Sequence, residues 1–573
     1  MRYAPAHRGT PRPVLRPRAP WGWALAWLAL ALWALPTGLQ AADAGAAIYL
    51  QGITGNGQPL RSHREGAAPL EGAQAACVNC HRRSGFGGQE GRNSIPPITA
   101  RYLFRARADD ADRDIPYVPG MRTDREPYDA ALLARAIREG QDAQERPLNY
   151  LMPQFDLGDA DMAALIAYLH SMDKRHVPGV GEGVLHFATI ITPDTDLARR
   201  QAMLGVMRQF FADRNARQLP AAPRMLTSGH TAYSKSMFRM HPKWELHVWE
   251  LSGPPSGWQQ QLDKHLAREP VLAVLSGLGG SNWAPVHAFC EAAAVPCLFP
   301  NVELPVEQSE GNYALYFSKG VLLEAELMAA EVLAQQPRPS SVLQVWRSGD
   351  VGEAAARAAA TLLQAQGLAV RSLVLDAQAG PDALRVQLPQ ALAHSAAAPA
   401  LLLWLRPPDL ASLPSLSALS PAQQQPSPQL SPTIYLSGLM GGLENSPLPA
   451  DWRSRSHMAY PFDLPEARRV RVDFARGWFY LRKIAVVDLQ MQADTYLACG
   501  LLSETLNHMA DNLDRDYLIE RVQALLEHRI VTGYYPRLAL ANGQHFASKG
   551  GYLVHFAEDG GTRLVAEHEW QVP

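Results

Sequence analysis

The chain has 573 residues, with 53 Lys and Arg against 55 Asp and Glu, a formal net charge of −2 and no basic block. That balance argues against a nucleic-acid partner, and the length is too great for one small domain, so two or three domains are expected. Five cysteines are few, and each is weighed singly below.

The chain opens with Arg2, Arg8, Arg12, Arg16 and Arg18 and no acidic residue, followed by an apolar stretch from Trp21 to Leu35 and then Pro36, Gly38 and Gln40-Ala41-Ala42-Asp43-Ala44. This is the order of a secretory signal peptide, over residues 1–42, with cleavage after Ala41 or Ala42. The apolar run is short for a membrane span, which needs about 20 residues. Its Trp and Leu content keeps an uncleaved anchor as the alternative, and only then would the chain meet a membrane. Export implies a periplasmic protein.

Cys77-Val78-Asn79-Cys80-His81 reads as a c-type haem attachment site. Each thiol adds to one vinyl group of the porphyrin, and the turn brings the imidazole of His81 onto the iron. Half of a zinc site or a redox dithiol are the alternatives; zinc needs further ligands at short spacing, and a dithiol does not need the adjacent histidine. An electron carrier usually has a second axial ligand. Met152, in Tyr150-Leu151-Met152-Pro153-Gln154-Phe155, is the candidate, since a soft thioether favours reduced iron and raises the potential. Met162 falls on the core face of a helix, Met172 lies past its packed turns, and Met121 sits in an irregular stretch. His63 or His176 would give a bis-histidine haem instead.

Around the motif, Ala46 to Leu50 reads as a short opening helix stopped by Gly52, and Arg82 to Pro97 as a Gly-rich loop. Tyr128 to Glu139 is amphipathic with Gly140 as its stop, and Asp159 caps a helix carrying Met162, Leu165, Ile166 and Leu169. This order resembles a class I cytochrome c domain, all-α, over residues 44–172. The resemblance implies one covalent haem c, first and last helices that cross, Cys77 and Cys80 as attachment points, His81 as proximal and Met152 as distal ligand.

Residues 173–183 have linker composition. Strands and helices then alternate. Leu185–Ile191, Leu246–Leu251, Val271–Leu275 and Cys297–Phe299 are predicted strands, with helices over Ala198–Arg214, Trp258–Ala267 and up to Ala294. The pattern restarts with strands at Tyr313–Phe317, Ser341–Trp346, Ala369–Leu375, Leu401–Leu405 and Thr433–Leu436, and helices at Val321–Leu333 and Val351–Gln366. Such βα repetition implies parallel sheets covered on both faces. Ser412–Pro432 is a low-complexity loop, and the C-terminal part holds helices over Arg468–Asp488 and Tyr496–Asn512 with strands near Tyr535 and Tyr552. Cys290 and Cys297 are close in sequence, export permits a disulfide, and a helix end before a Pro-started strand brings their Cα atoms into range; two buried thiols are the alternative. Cys499 sits in an apolar helix.

Two doubly wound lobes in an exported chain resemble a type I periplasmic binding protein of the branched-chain amino-acid receptor kind, with Glu269 to Pro300 carrying most of the likeness. The resemblance implies a ligand cleft at the carboxyl ends of the strands, where free amides suit an anion. The contacts it points to are Ser281 and Asn282 in the first lobe, Tyr316 and Ser318 at the crossover, and Asp350 in the second lobe. Gly279-Gly280-Ser281-Asn282 also reads as a plain turn and cap, and Trp283 rules out a nucleophile elbow. Thr192-Pro193-Asp194-Thr195 departs from the Gly-rich form common in amino-acid receptors. No metal cluster other than the haem site stands out, and the remaining histidines read as structural.

The first functional reading is an exported electron-transfer cytochrome, not an enzyme, whose second domain binds a small molecule or docks a redox partner such as a periplasmic quinoprotein dehydrogenase. The alternative is the solute receptor of an ABC-type uptake system or a sensor, with haem as redox reporter. No nucleophile, general base or second cofactor site supports catalysis.

Overall fold

The computed structural model describes residues 37–104 (without 92), 126–172, 176–216, 242–307, 311–394 (without 381), 399–419, 432–509, 512–528, 533–557 and 561–573. Most of the signal segment and Met121 lie outside these residues. Among the described residues no helix is long and apolar enough to cross a membrane. The chain divides into two compact units, Met1–Arg175 and His176–Pro573.

The first unit is built on α1 (Thr37–Gln51), α2 (Val78–His81), α3 (Ala100–Leu103), α4 (Ala130–Glu139) and α5 (Asp159–Met172). Crossing of α1 and α5 depends on Gly45, where a Cβ would sit 2.2 Å from the Ala164 carbonyl oxygen; the Tyr49 and Tyr168 rings then meet at 5.3 Å, tilted by 46°. The amphipathic run gives α4, capped by the Asp129 side chain, which accepts from Leu132 N, and ended by Gly140 at φ 69°. Ile48, Tyr49, Leu133, Ile137, Phe155, Leu165 and Leu169 form its core. The unit is not purely helical. Strands β1 (Arg61–His63), β2 (Leu70–Glu71) and β5 (Gln154–Phe155) make a small antiparallel sheet, and β3 (Gly88–Glu90) pairs with β4 (Asn93–Ile95). These pairs are too short for periodicity to reveal.

The second unit is α/β with two sheets. The first has the order β11-β10-β9-β7-β6 with β8 on the free side of β7, from β6 (Val180–Gly181), β7 (Val184–Ile191), β8 (Lys243–Glu250), β9 (Ala273–Leu275), β10 (Cys297–Leu298) and β11 (Ala314–Leu315). All of it is parallel apart from β6. Helices α6 (Leu197–Ala216), α7 (Trp258–Arg268) and α8 (Ala284–Ala292) connect these strands. One face packs Phe187 and Trp244 with Phe211 of α6; on the other, Ala188, Ile190 and Trp249 join Trp258, Leu262 and Phe289.

The second sheet runs β13-β12-β14-β15-β16-β17-β18, from β12 (Ser341–Arg347), β13 (Ala369–Leu375), β14 (Ala400–Trp404), β15 (Thr433–Ser437), β16 (Ser456–Tyr460), β17 (Tyr552–Phe556) and β18 (Leu564–Ala566). It is parallel from β13 to β16, and β17 and β18 add antiparallel. Its helices α9 (Val321–Ala334), α10 (Gly352–Ala365) and α11 (Ala383–Ala393) accompany it. Helices α12 (Pro465–Leu481), α13 (Leu489–Met509) and α14 (Arg515–His528) return to the first sheet, where Phe210 of α6 meets Trp478 and Tyr496. The two-lobed α/β expectation therefore holds. Some details differ: β6, β16, β18, α11 and α14 are additional elements, and Tyr535 lies in irregular chain.

Candidate functional site

Cys77 stands at the N-terminus of the single-turn helix α2, and His81 at its end, where Arg82 takes φ 64° and stops the helix. Tyr49 Oη donates to Arg82 O at 2.7 Å, and Asn79 Nδ2 donates to Ala73 O at 2.8 Å, so the turn is pinned on both sides. Gly87, whose added Cβ would lie 2.2 Å from Ile95 O, lets the following loop fold back over His81. There the Pro96 carbonyl accepts from His81 Nδ1 at 3.1 Å. A carbonyl can only accept, so Nδ1 carries the hydrogen and Nε2 keeps its lone pair. His81 is buried, and that burial lowers its pKa to about 4, which keeps the ring neutral.

These residues line a cavity of about 560 Å³. Cys77, Cys80, His81 and Met152 all face it, within walls that include Tyr49, Leu133, Ile137, Phe155 and Leu169. The Met152 loop is held by Asn149, whose side-chain oxygen accepts from Leu151 N and whose carbonyl accepts from Met152 N. Among the described methionines only Met152 lines the cavity; Met162 and Met172 are buried in the helical core. His63 pairs with Gln154 on the exposed side of β1, and His176 is exposed; neither lines the cavity. Burial pushes the Cys77 thiol up to about 12.

The cavity fits a haem on three counts. Its donor set offers two thiols, an imidazole nitrogen already oriented by a backbone carbonyl, and a thioether. Its walls are apolar. Arg64, which also lines the cavity, keeps a buried Nε–H with no partner among the described residues, a donor suited to a carboxylate-bearing cofactor. Residues 71–173 match the cytochrome c family. This segment is a cytochrome c domain. The family implies haem c and electron transfer. In this domain Cys77 and Cys80 would hold the group and His81 Nε2 and Met152 Sδ would supply its axial donors. Bound haem supplies a one-electron iron couple; the protein orients His81, excludes water with its apolar walls and leaves Arg64 to meet negative charge.

No curated protein matches the chain in sequence. Among solved structures, a fatty-acid ABC transporter substrate-binding protein from Thermomonospora curvata is 16% identical, covering 70% of this chain and 95% of its own, with a TM-score of 0.47. A branched-chain amino-acid ABC transporter protein from Thermus thermophilus with bound valine is 10% identical over 68% and 96%, with a TM-score of 0.46. A solute-binding protein from R. palustris in complex with benzoate is 11% identical over 68% and 96%, with a TM-score of 0.47.

In the second unit the five contacts expected of a cleft are engaged within the chain. The Asp194 carboxylate accepts from Ser281 N at 2.8 Å and Ser281 Oγ at 3.2 Å, and Thr192 Oγ1 accepts from Gly280 N. Asn282 Oδ1 caps Ala284 N at 3.0 Å. Tyr316 is buried in the core with its hydroxyl 2.8 Å from His287 Nδ1, and Ser318 Oγ accepts from Gly320 N. Asp350 pairs with Arg406, whose guanidinium also binds Glu303. The Gly280 and Ser281 amides, which would hold an anionic ligand, are thus taken by the Thr192 hydroxyl and the Asp194 carboxylate.

The expected Cys290–Cys297 disulfide is absent, and both residues are free thiols. They lie in the apolar core, where the hydrogen bond with Cys297 and burial raise the Cys290 pKa well above its usual value. Two features escaped the sequence. The Pro96 carbonyl has no side-chain signature. His186, Glu245 and His247, read as unconnected, converge on one face of a sheet; each lay on a predicted strand or its edge, but the pairing register was unknown.

Proposed function

We propose that this chain is an exported, single-haem electron-transfer protein, with one haem c covalently held at Cys77 and Cys80 and ligated by His81 and Met152. The carrying observation is the neutral, carbonyl-oriented His81 and Met152 facing the same apolar cavity as the two thiols. Six-coordinate iron leaves no position for substrate, which favours a carrier over a catalyst. The second unit is then a docking module for a periplasmic redox partner, with a quinoprotein dehydrogenase as donor. Support comes from the in-chain engagement of Ser281, Asn282, Tyr316, Ser318 and Asp350, which speaks against an amino-acid receptor.

The test is a redox titration of protein purified from the periplasm. One electron per chain, a mass increased by one haem, and no carbon monoxide binding by the reduced form are expected; carbon monoxide binding would overturn the six-coordinate assignment. A ligand screen by thermal unfolding tests the second unit. A true ligand at a hundredfold excess over Kd would stabilise it by about 2.7 kcal/mol, and free amino acids should give no shift.

A further inference from the structure

At the amino-terminal end of the first sheet of the second unit, three metal-binding side chains meet. His186 on β7 is the register partner of Glu245 on β8, and His247 lies two residues further along β8. The period of a strand places all three on one face. His186 Nδ1 is 3.0 Å from His247 Nε2 and 3.7 Å from Glu245 Oε2, and His247 Nε2 is 3.9 Å from Glu245 Oε1.

An ion bound tetrahedrally at roughly 2.0–2.2 Å places its donor atoms about 3.3–3.6 Å apart, the edge of a tetrahedron being about 1.63 times its bond length. The three separations bracket that value. The outer nitrogen of His247 faces a carboxylate: Nδ1 lies 3.5 Å from Glu269 Oε2. Glu269 is itself held by Trp249 Nε1 at 3.0 Å and Arg268 at 2.9 Å. A carboxylate on one ring nitrogen leaves the lone pair of the other for a metal, the arrangement that orients ligand histidines. The His247 side chain is 16% exposed and that of Glu245 57%, so the site opens to solvent on the carboxylate side, where a water completes four-coordination.

We propose that His186, Glu245 and His247 bind a borderline divalent transition-metal ion of the Zn²⁺ or Cu²⁺ class, with Glu269 as positioning residue. Two imidazoles and a carboxylate suit such ions better than Mg²⁺ or Ca²⁺, which want oxygen ligands. The ion clamps the edge strand β8 to β7. It sits at the opposite ends of the strands from the loops of Ser281 and Asn282, so it does not depend on any cleft ligand.

The experiment uses the full-length, haem-loaded protein, stripped with chelator and given Zn²⁺, with iron measured beside bound zinc to count chains. The wild type should hold one more equivalent of zinc than the His186→Ala/His247→Ala double variant. Glu269→Gln should weaken binding about 10- to 100-fold without abolishing it. With Cu²⁺, the electron spin resonance spectrum should carry coupling to two imidazole nitrogens that the double variant loses. Glu245→Gln, at the exposed end, serves as a variant whose fold is not at risk and should also weaken zinc binding. Equal zinc in wild type and double variant, or a copper spectrum without nitrogen coupling, overturns the site.

Discussion

His81 gives its Nδ1 hydrogen to the Pro96 carbonyl across 3.1 Å, and that bond makes the imidazole a stronger donor through Nε2. A more basic ligand favours oxidised iron. Gly87→Ala would push its Cβ against Ile95 O, 2.2 Å away at a positive φ, and displace the Pro96 loop. Losing one hydrogen bond, about 1 kcal/mol, should raise the midpoint potential by roughly 40 mV for a one-electron couple. Redox titration of Gly87→Ala against wild type checks this; an unchanged potential would mean the loop re-forms its bond.

Met152→Ala should move the potential the other way. Removing the thioether leaves water or a harder ligand, which favours oxidised iron. A fall of more than about 59 mV, a tenfold change in preference, is expected, together with loss of the weak sulfur-to-iron band near the red end of the visible. Persistence of the band would identify another distal ligand.

Arg406 bridges Glu303 and Asp350, at 2.6 and 2.7 Å. All three side chains are half-buried, and the pairing holds the Asp350 carboxyl below its usual range despite burial, which pushes it upward. Arg406→Ala leaves two carboxylates facing each other, and should destabilise the second unit by about 1–3 kcal/mol in denaturant unfolding. Arg406→Ala with Asp350→Asn and Glu303→Gln should recover part of that loss.

What the sequence made legible was local chemistry. Cys77, Cys80 and His81 are read within five residues, and Gly140 marks the end of α4 from its own φ. The βα alternation was visible because strands such as Ala273–Leu275 and Ala400–Trp404 are continuous apolar runs. What was hidden depends on partners far along the chain. Asp194 meets Ser281 across 87 positions, and Arg406 meets Asp350 across 56. His186 meets His247 across 61, through a strand register that no local pattern encodes. Cys290 and Cys297 are close, as expected, but closeness alone does not make a bond, and both are free thiols.

Those thiols give a direct mass measurement. Denatured without reductant and alkylated, the protein should take up three labels, on Cys290, Cys297 and Cys499, with Cys77 and Cys80 blocked by haem. A single label, on Cys499, would restore the disulfide.

Asp494 gives the pH dependence. It is buried on α13, with Tyr535 Oη donating to its Oδ2 at 3.0 Å and its Oδ1 without a partner. Burial raises its pKa to about 8, against the pull of the Tyr535 and Gln490 hydrogen bonds. Glu324, buried beside Ser437, is raised to about 8 for the same reason. In the unfolded chain both titrate near 4. Between about pH 4 and pH 8 the folded protein therefore holds protons that the unfolded chain has released, so stability falls as pH rises through that window, by at most about 1.4 kcal/mol per pH unit per group. The tryptophans from Trp244 onward lie in the second unit, so their emission follows its unfolding in urea at pH 5, 6, 7 and 8. The wild-type midpoint should decline across the series. Asp494→Asn, which keeps a neutral group of the same shape, should reduce the decline, and Asp494→Asn with Glu324→Gln should reduce it further. An identical slope in wild type and double variant would show that both carboxyls are already ionised in the folded protein.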